Sequence, residues 1–168
     1  MTAAPMSLVD RLRFLLVTSC GLGLSPFAPG TVGTFGGIAV AVLLQATLPA
    51  HVVSAWWIAA AVLFALGCST TAFVKRTFPN EDPGAFVLDE VVGYLVTVAT
   101  YASLLQAPDA MGHAAAFFLF RFFDVVKVQP ARWLEDLPGA LGIMADDQMA
   151  GAYAGLSMYL ILPFLGLV

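Results

Sequence analysis

Two pairs of adjacent acids, Asp89-Glu90 in FVLDEVVGYL and Asp146-Asp147 in GIMADDQMAG, stand inside otherwise apolar sequence. A charge within a membrane span costs about 2.5–3.5 kcal/mol, and a neighbouring acid doubles that cost. One aspartate suffices to cap a helix, and one first-turn acid answers the helix dipole, so the second member of each pair needs another purpose. Two carboxylate pairs on one face make a site for a hard cation, and magnesium favours carboxylate oxygens together with water and substrate phosphate. Arg121, Asp124 and Lys127 in FLFRFFDVVK are spaced by three and share a helical face. They read either as a salt-bridge ladder that makes burial tolerable, or as Asp124 serving the metal while two cations take a phosphate. In GLGLSPFAPGTVGT, residues 21–34, glycines let the backbone approach a ligand, and a helix starting near Thr31 turns free N–H groups toward an anion. Gly30 and Thr31 are the candidate phosphate contacts there. No Gly-Lys-Ser/Thr follows, so the segment is not a P-loop. Cys20 and Cys68 lack metal or redox spacing and form no cluster with His51 or His113.

These groups need a scaffold, and the composition says which kind. Of the 168 residues 60% are hydrophobic and 11% charged, where a soluble domain carries about 25% charge. Apolar content this high excludes disorder. Seven basic against eleven acidic residues, a net charge of −4, argues against nucleic-acid binding. The length fits a single domain, residues 1–168. Between Arg13 and Lys75 no residue is charged, room for more than one crossing at about 20 residues each. The predicted spans run over 31–48, 53–74, 86–107, 111–126 and 148–168, giving an all-α fold of about five transmembrane or re-entrant helices. Residues 1–30 form a cytoplasmic or interfacial segment, with an amphipathic helix over 7–17. With the N-terminus inside, every lysine and arginine lies on the inner side or at the inner end of the fourth span. The polar site therefore sits at the cytoplasmic boundary, and His51 and His113 fall near the outer side, where they read as interfacial.

The segments GLGLSPFAPGTVGT, LDEVVGYL and FRFFDVVKVQPARWLEDLPGALGIMADDQMAGAYAG resemble the phosphatidylglycerophosphatase A family in order and separation, from Gly21 to Gly155. Two stretches depart from the family pattern, Val128-Gln129-Pro130 and Leu137-Pro138-Gly139. The resemblance implies a magnesium-dependent, membrane-embedded enzyme of the bacterial inner membrane. It would hydrolyse the terminal phosphomonoester of phosphatidylglycerol phosphate during phospholipid synthesis. Asp89, Glu90, Asp146 and Asp147 would hold Mg2+, with Asp124 as a fifth catalytic acid, and Arg121, Lys127 and Arg132 would neutralise the phosphate. Water attack and an aspartyl-phosphate intermediate are both open. Two rival readings are a small cation transporter or channel subunit, whose pathways use intramembrane acids, and a phosphatase for another lipid phosphate such as phosphatidic acid. The expected partners are a phospholipid substrate and the bilayer.

Overall fold

Apolar sequence in a bilayer must satisfy its own backbone hydrogen bonds, and helices do this segment by segment. The structure, a computed structural model, describes residues 6–80 and 83–167. The first five residues, two acids of the polar stretch 75–84 and the last residue of the fifth expected span lie outside the described residues. The described residues contain no strand. Their α-helices are α1 (Leu8–Val17), α2 (Pro29–Thr47), α3 (Val52–Cys68), α4 (Thr71–Thr77), α5 (Leu88–Leu104), α6 (Ala110–Val126), α7 (Ala131–Glu135) and α8 (Ala140–Ile161).

The short α1 follows its expected limits. Ser7 caps it by accepting from the Asp10 N–H at 3.1 Å. Leu8, Val9, Leu12 and Leu15 are exposed, Val17 is buried, and the Val17 carbonyl accepts from the Val87 N–H at 2.9 Å, tying α1 to the start of α5. Asp10 also pairs with Arg76 of α4. Pro29 opens α2, where its missing N–H costs nothing, and Trp56 of α3 donates from Nε1 to the Ala41 carbonyl of α2 at 3.0 Å. The second expected span ran on to residue 74, but α3 stops at Cys68. The hydroxyls of Ser69 and Thr70 donate to the Leu66 and Gly67 carbonyls, each at 2.6 Å, and the chain restarts as α4.

The centre of the bundle is α5, packed against α8, α3, α2 and α6. Most of its residues are buried, including Tyr94, Leu95 and Tyr101. Its contact with α8 runs backbone to backbone, because a Cβ on Gly151 would strike the Gly93 carbonyl and one on Gly155 would lie 2.6 Å from the Thr97 carbonyl. Small residues spaced by four are what close helix approach in a membrane requires. The last helix begins at Ala140 rather than at 148, so Asp146 and Asp147 lie inside α8 instead of before it. Gly139, at φ +70°, makes the turn into the helix, and the residues after it carry no breaker stronger than Gly142.

Three segments, Pro29–Thr47, Pro49–Cys68 and Ala140–Leu165, are long and apolar enough to cross a membrane. α5 and α6 have 17 residues each, a rise of about 26 Å against a hydrocarbon core of about 30 Å. One expectation is overturned: His113 is not interfacial. It is buried, its Nδ1 2.8 Å from the Tyr94 hydroxyl and its Nε2 3.0 Å from Gln45 Oε1, and it joins α2, α5 and α6 inside the bundle. A buried imidazole needs partners at both nitrogens, and these lie on two other helices, 19 and 68 residues away in the sequence.

Candidate active site

Four helix ends meet around one cavity of about 630 Å³. Pro29 and Gly30 come from the first turn of α2, Asp89 and Glu90 from the first turn of α5, and Asp146 and Asp147 from α8. Arg121, Asp124 and Val125 reach it from the last turns of α6, and Lys127 from the residue that ends that helix. Glu135, Asp136 and Gly139 close it from α7 and the turn that follows.

Asp89, Glu90 and Asp147 can each offer a carboxylate oxygen within 4.8 Å of the other two, a grouping able to hold a metal ion. Burial favours that reading. Asp89, Asp146 and Asp147 are 8%, 5% and 3% exposed, and Glu90 Oε2, Asp146 Oδ1 and Asp147 Oδ2 are buried without a hydrogen-bond partner among the described residues. Buried anionic oxygens left unpaired cost far more than neutral ones, and a divalent cation is the neutraliser this donor set suits. Asp124 adds to the cluster, its carboxylate bearing on Asp147 and Glu90.

The cations divide between two sets of acids. Arg121 Nη1 lies 2.5 Å from Asp124 Oδ2 and 3.9 Å from Glu90 Oε1. Lys127 does not continue the expected ladder to Asp124. It takes a left-handed conformation at φ +49°, which turns its side chain off the α6 face. Its Nζ donates to Asp146 Oδ2 at 2.8 Å and to Glu135 Oε1 at 2.6 Å. Partial burial pulls the ammonium's pKa down, but the hydrogen bonds and charges of Asp146 and Glu135 outweigh it and hold the pKa above the ordinary lysine value. Lys127 is therefore a cation at any pH at which the protein works.

Gly30 leaves a gap between two side chains of the site, since a Cβ there would meet Glu90 Oε1 and come within 3.1 Å of Arg121 Nη1. Thr31 follows it in α2 but does not line the cavity, and Arg132 is exposed on α7, also away from the lining. The site thus gathers eight of the ten sequence-derived candidates. Glu135 is the residue that sequence reasoning missed. It lies in a polar stretch of ordinary composition, and nothing in its spacing marks it as the partner of a lysine eight positions earlier. Val125, which lines the cavity, is 72% exposed, and Phe27 and Phe122, next in sequence to the lining residues Ala28 and Arg121, are exposed as well, so exposed apolar side chains accompany a charged interior.

Comparison with known proteins gives a family profile described as phosphatidylglycerophosphatase A, matching residues 15–162. A Haemophilus influenzae protein named phosphatidylglycerophosphatase A is 36% identical over 148 residues, 88% of this chain and 86% of its own. An Escherichia coli protein of the same name is 32% identical over 148 residues, 88% of this chain and 81% of its own. A Bacteroides thetaiotaomicron protein, provisionally named phosphatidylinositol-3-phosphatase, is 36% identical over 147 residues, 85% of this chain and 89% of its own. No solved structure matches the chain.

Proposed function

The chain belongs to the phosphatidylglycerophosphatase A family, and from that premise we propose a membrane-bound lipid phosphatase that converts phosphatidylglycerol phosphate to phosphatidylglycerol. The observation that carries this reading is the convergence of Asp89, Glu90, Asp147 and Arg121 on one cavity, accompanied by exposed apolar side chains. A phosphomonoester on a lipid needs a charged pocket for its head and an apolar approach for its tails.

In this reading Asp89, Glu90 and Asp147 hold Mg2+, with Asp124 and Asp146 completing the acidic wall. Bound there, the ion supplies a Lewis-acid contact to a phosphoryl oxygen and a water of lowered pKa. Arg121 presents its planar fork to two phosphoryl oxygens and is itself held by Asp124 and Glu90. Lys127 answers the charge that develops during transfer. The first turn of α2, at Gly30 and Thr31, offers N–H groups that the helix does not use. Arg132, on the exposed face of α7, serves as an outer contact for the headgroup. The reaction joins a water oxygen to phosphorus, breaks the bond to the glycerol oxygen, and returns a proton to that oxygen.

The single domain crosses the cytoplasmic membrane of a bacterium five times, with the site facing the cytoplasm. Support comes from the basic residues, which belong to α1, α4, α7 and the site end of α6, as a positive inner side requires. The test is phosphate release by the full-length protein in detergent with Mg2+. Phosphatidylglycerol phosphate should be cleaved faster than phosphatidic acid or phosphatidylinositol 3-phosphate, and Asp147→Asn should be inactive. Release no faster than with Asp147→Asn, or a preference for the inositol lipid, would overturn the assignment.

A further inference from the structure

Seven carboxylates and two cations line the cavity, a formal excess of five negative charges in a place meant for a phosphate. Many phosphatases solve this with two divalent ions about 3.5–4 Å apart, one for the attacking oxygen and one for the leaving oxygen. Here one grouping of acids, Asp89, Glu90 and Asp147, converges as ion ligands do. The next acid in α8, Asp146, is not part of it. Its Oδ2 is taken by the Lys127 ammonium, which Glu135 also holds.

We propose that the Lys127 ammonium, seated between Asp146 and Glu135, is a built-in second cation, so that the site takes one divalent ion and not two. This rests on the metal reading given above. Three features support it. Asp146 and Asp147 line the same cavity, so the two cation positions share it. Asp146 is 5% exposed, and a carboxylate so buried next to other acids needs a permanent countercharge. Lys127 adopts a left-handed backbone that only glycine takes freely, and that conformation releases it from the α6 face and delivers it to α8. Arg121 cannot take the same role, because it is committed to Asp124. Asp146 and Glu135 are then positioning residues that act through Lys127.

The test counts ions on the full-length protein in detergent, with Mn2+ as the probe, by equilibrium dialysis with metal analysis and by electron paramagnetic resonance. The wild type should saturate at one Mn2+ per chain with no coupled Mn–Mn signal, and Lys127→Arg should remain at one. Lys127→Ala frees Asp146 and Glu135 and should bind a second Mn2+, and Lys127→Ala combined with Glu135→Gln should return to one. Two Mn2+ on the wild type, or one on a folded Lys127→Ala protein, overturns the proposal. If Lys127→Ala does not fold, the wild-type and Lys127→Arg counts decide, because two ions on either contradicts it. No Mn2+ on the wild type would instead bring down the metal reading on which the proposal rests.

Discussion

Glu90 and Arg121 face each other across a gap of 3.9 Å that Gly30 leaves open. A methyl group at that position meets only the far ends of two side chains, so the fold should survive Gly30→Ala while the guanidinium is displaced. Misplacing a group that orients substrate by about 1 Å can cost about 100-fold. Gly30→Ala should therefore lower kcat by one to two orders of magnitude with an unchanged helical circular dichroism spectrum, and an unchanged kcat would mean that the gap has no catalytic use. Arg121→Lys keeps the charge but gives up one of two parallel hydrogen bonds to phosphate. A charge-assisted hydrogen bond is worth about 1.5–3 kcal/mol, so the rate should fall at least about tenfold. Full activity would leave Arg121 as no more than the partner of Asp124. At this scale the sequence was legible where charge stood in apolar surroundings, as with Asp89, Glu90, Asp146 and Asp147. It was opaque for Glu135, whose pairing with a lysine eight positions earlier leaves no spacing signal, and for His113, whose partners Tyr94 and Gln45 stand on two other helices.

The helices themselves were legible through their punctuation. Pro29, the Pro49 turn and Asp109 sit where α2, α3 and α6 begin or are preceded. Two boundaries differ from the sequence pattern: α3 ends at hydroxyls that bond back to the preceding turn, and α8 starts at Ala140, directly after the turn at Gly139. The glycines of GAYAG went unread as a packing surface because their partners, Gly93 for Gly151 and Thr97 for Gly155, lie on another helix. Gly151→Val forces side-chain atoms against the Gly93 carbonyl. Overpacking of this kind costs about 1–3 kcal/mol, and the variant should lose thermal stability by that order in detergent, where an unchanged melting temperature would refute backbone contact. The α1 helix hangs on a different interaction. Slight burial raises the Asp10 pKa, but its bond with Ser7 and the charges of Arg76 and Arg13 outweigh that and leave it below the ordinary aspartate range. A lowered folded-state pKa gives an attachment that is complete above the ordinary value of about 3.9 and lost as pH falls through the folded value. A spin label at Leu12 should become mobile as pH falls below the ordinary aspartate range, and at neutral pH in Arg76→Gln. An immobile label in both cases would show that α1 is held without the Asp10–Arg76 pair, by contacts such as the Phe14–Phe78 ring stack and the Val17–Val87 hydrogen bond.

At the scale of the whole molecule, the charge map anticipated an all-helical membrane protein because the rule behind it is global: basic residues avoid one side. It could not anticipate that α5 would be enclosed by its neighbours, since a mainly apolar run such as 91–102 reads the same whether lipid or protein surrounds it. That enclosure puts the acids of α5 at the end of a rigid central post, and it leaves the outer surfaces of α2, α3 and α6 to the lipid. Val125 lines the cavity with its side chain exposed, and Phe27 and Phe122 are exposed beside lining residues in the sequence; under the proposed function this sets the dimension in which the enzyme searches. In the proposed function substrate would arrive by diffusion within a sheet, so that its governing concentration would be a mole fraction among the surrounding amphiphiles and not an amount per litre. At fixed total phosphatidylglycerol phosphate, adding inert detergent should slow turnover in proportion to surface dilution, while adding buffer to the same mixed micelles should leave the rate per enzyme unchanged. A rate that follows bulk molarity would mean that the headgroup enters from water, with the exposed apolar side chains as bystanders.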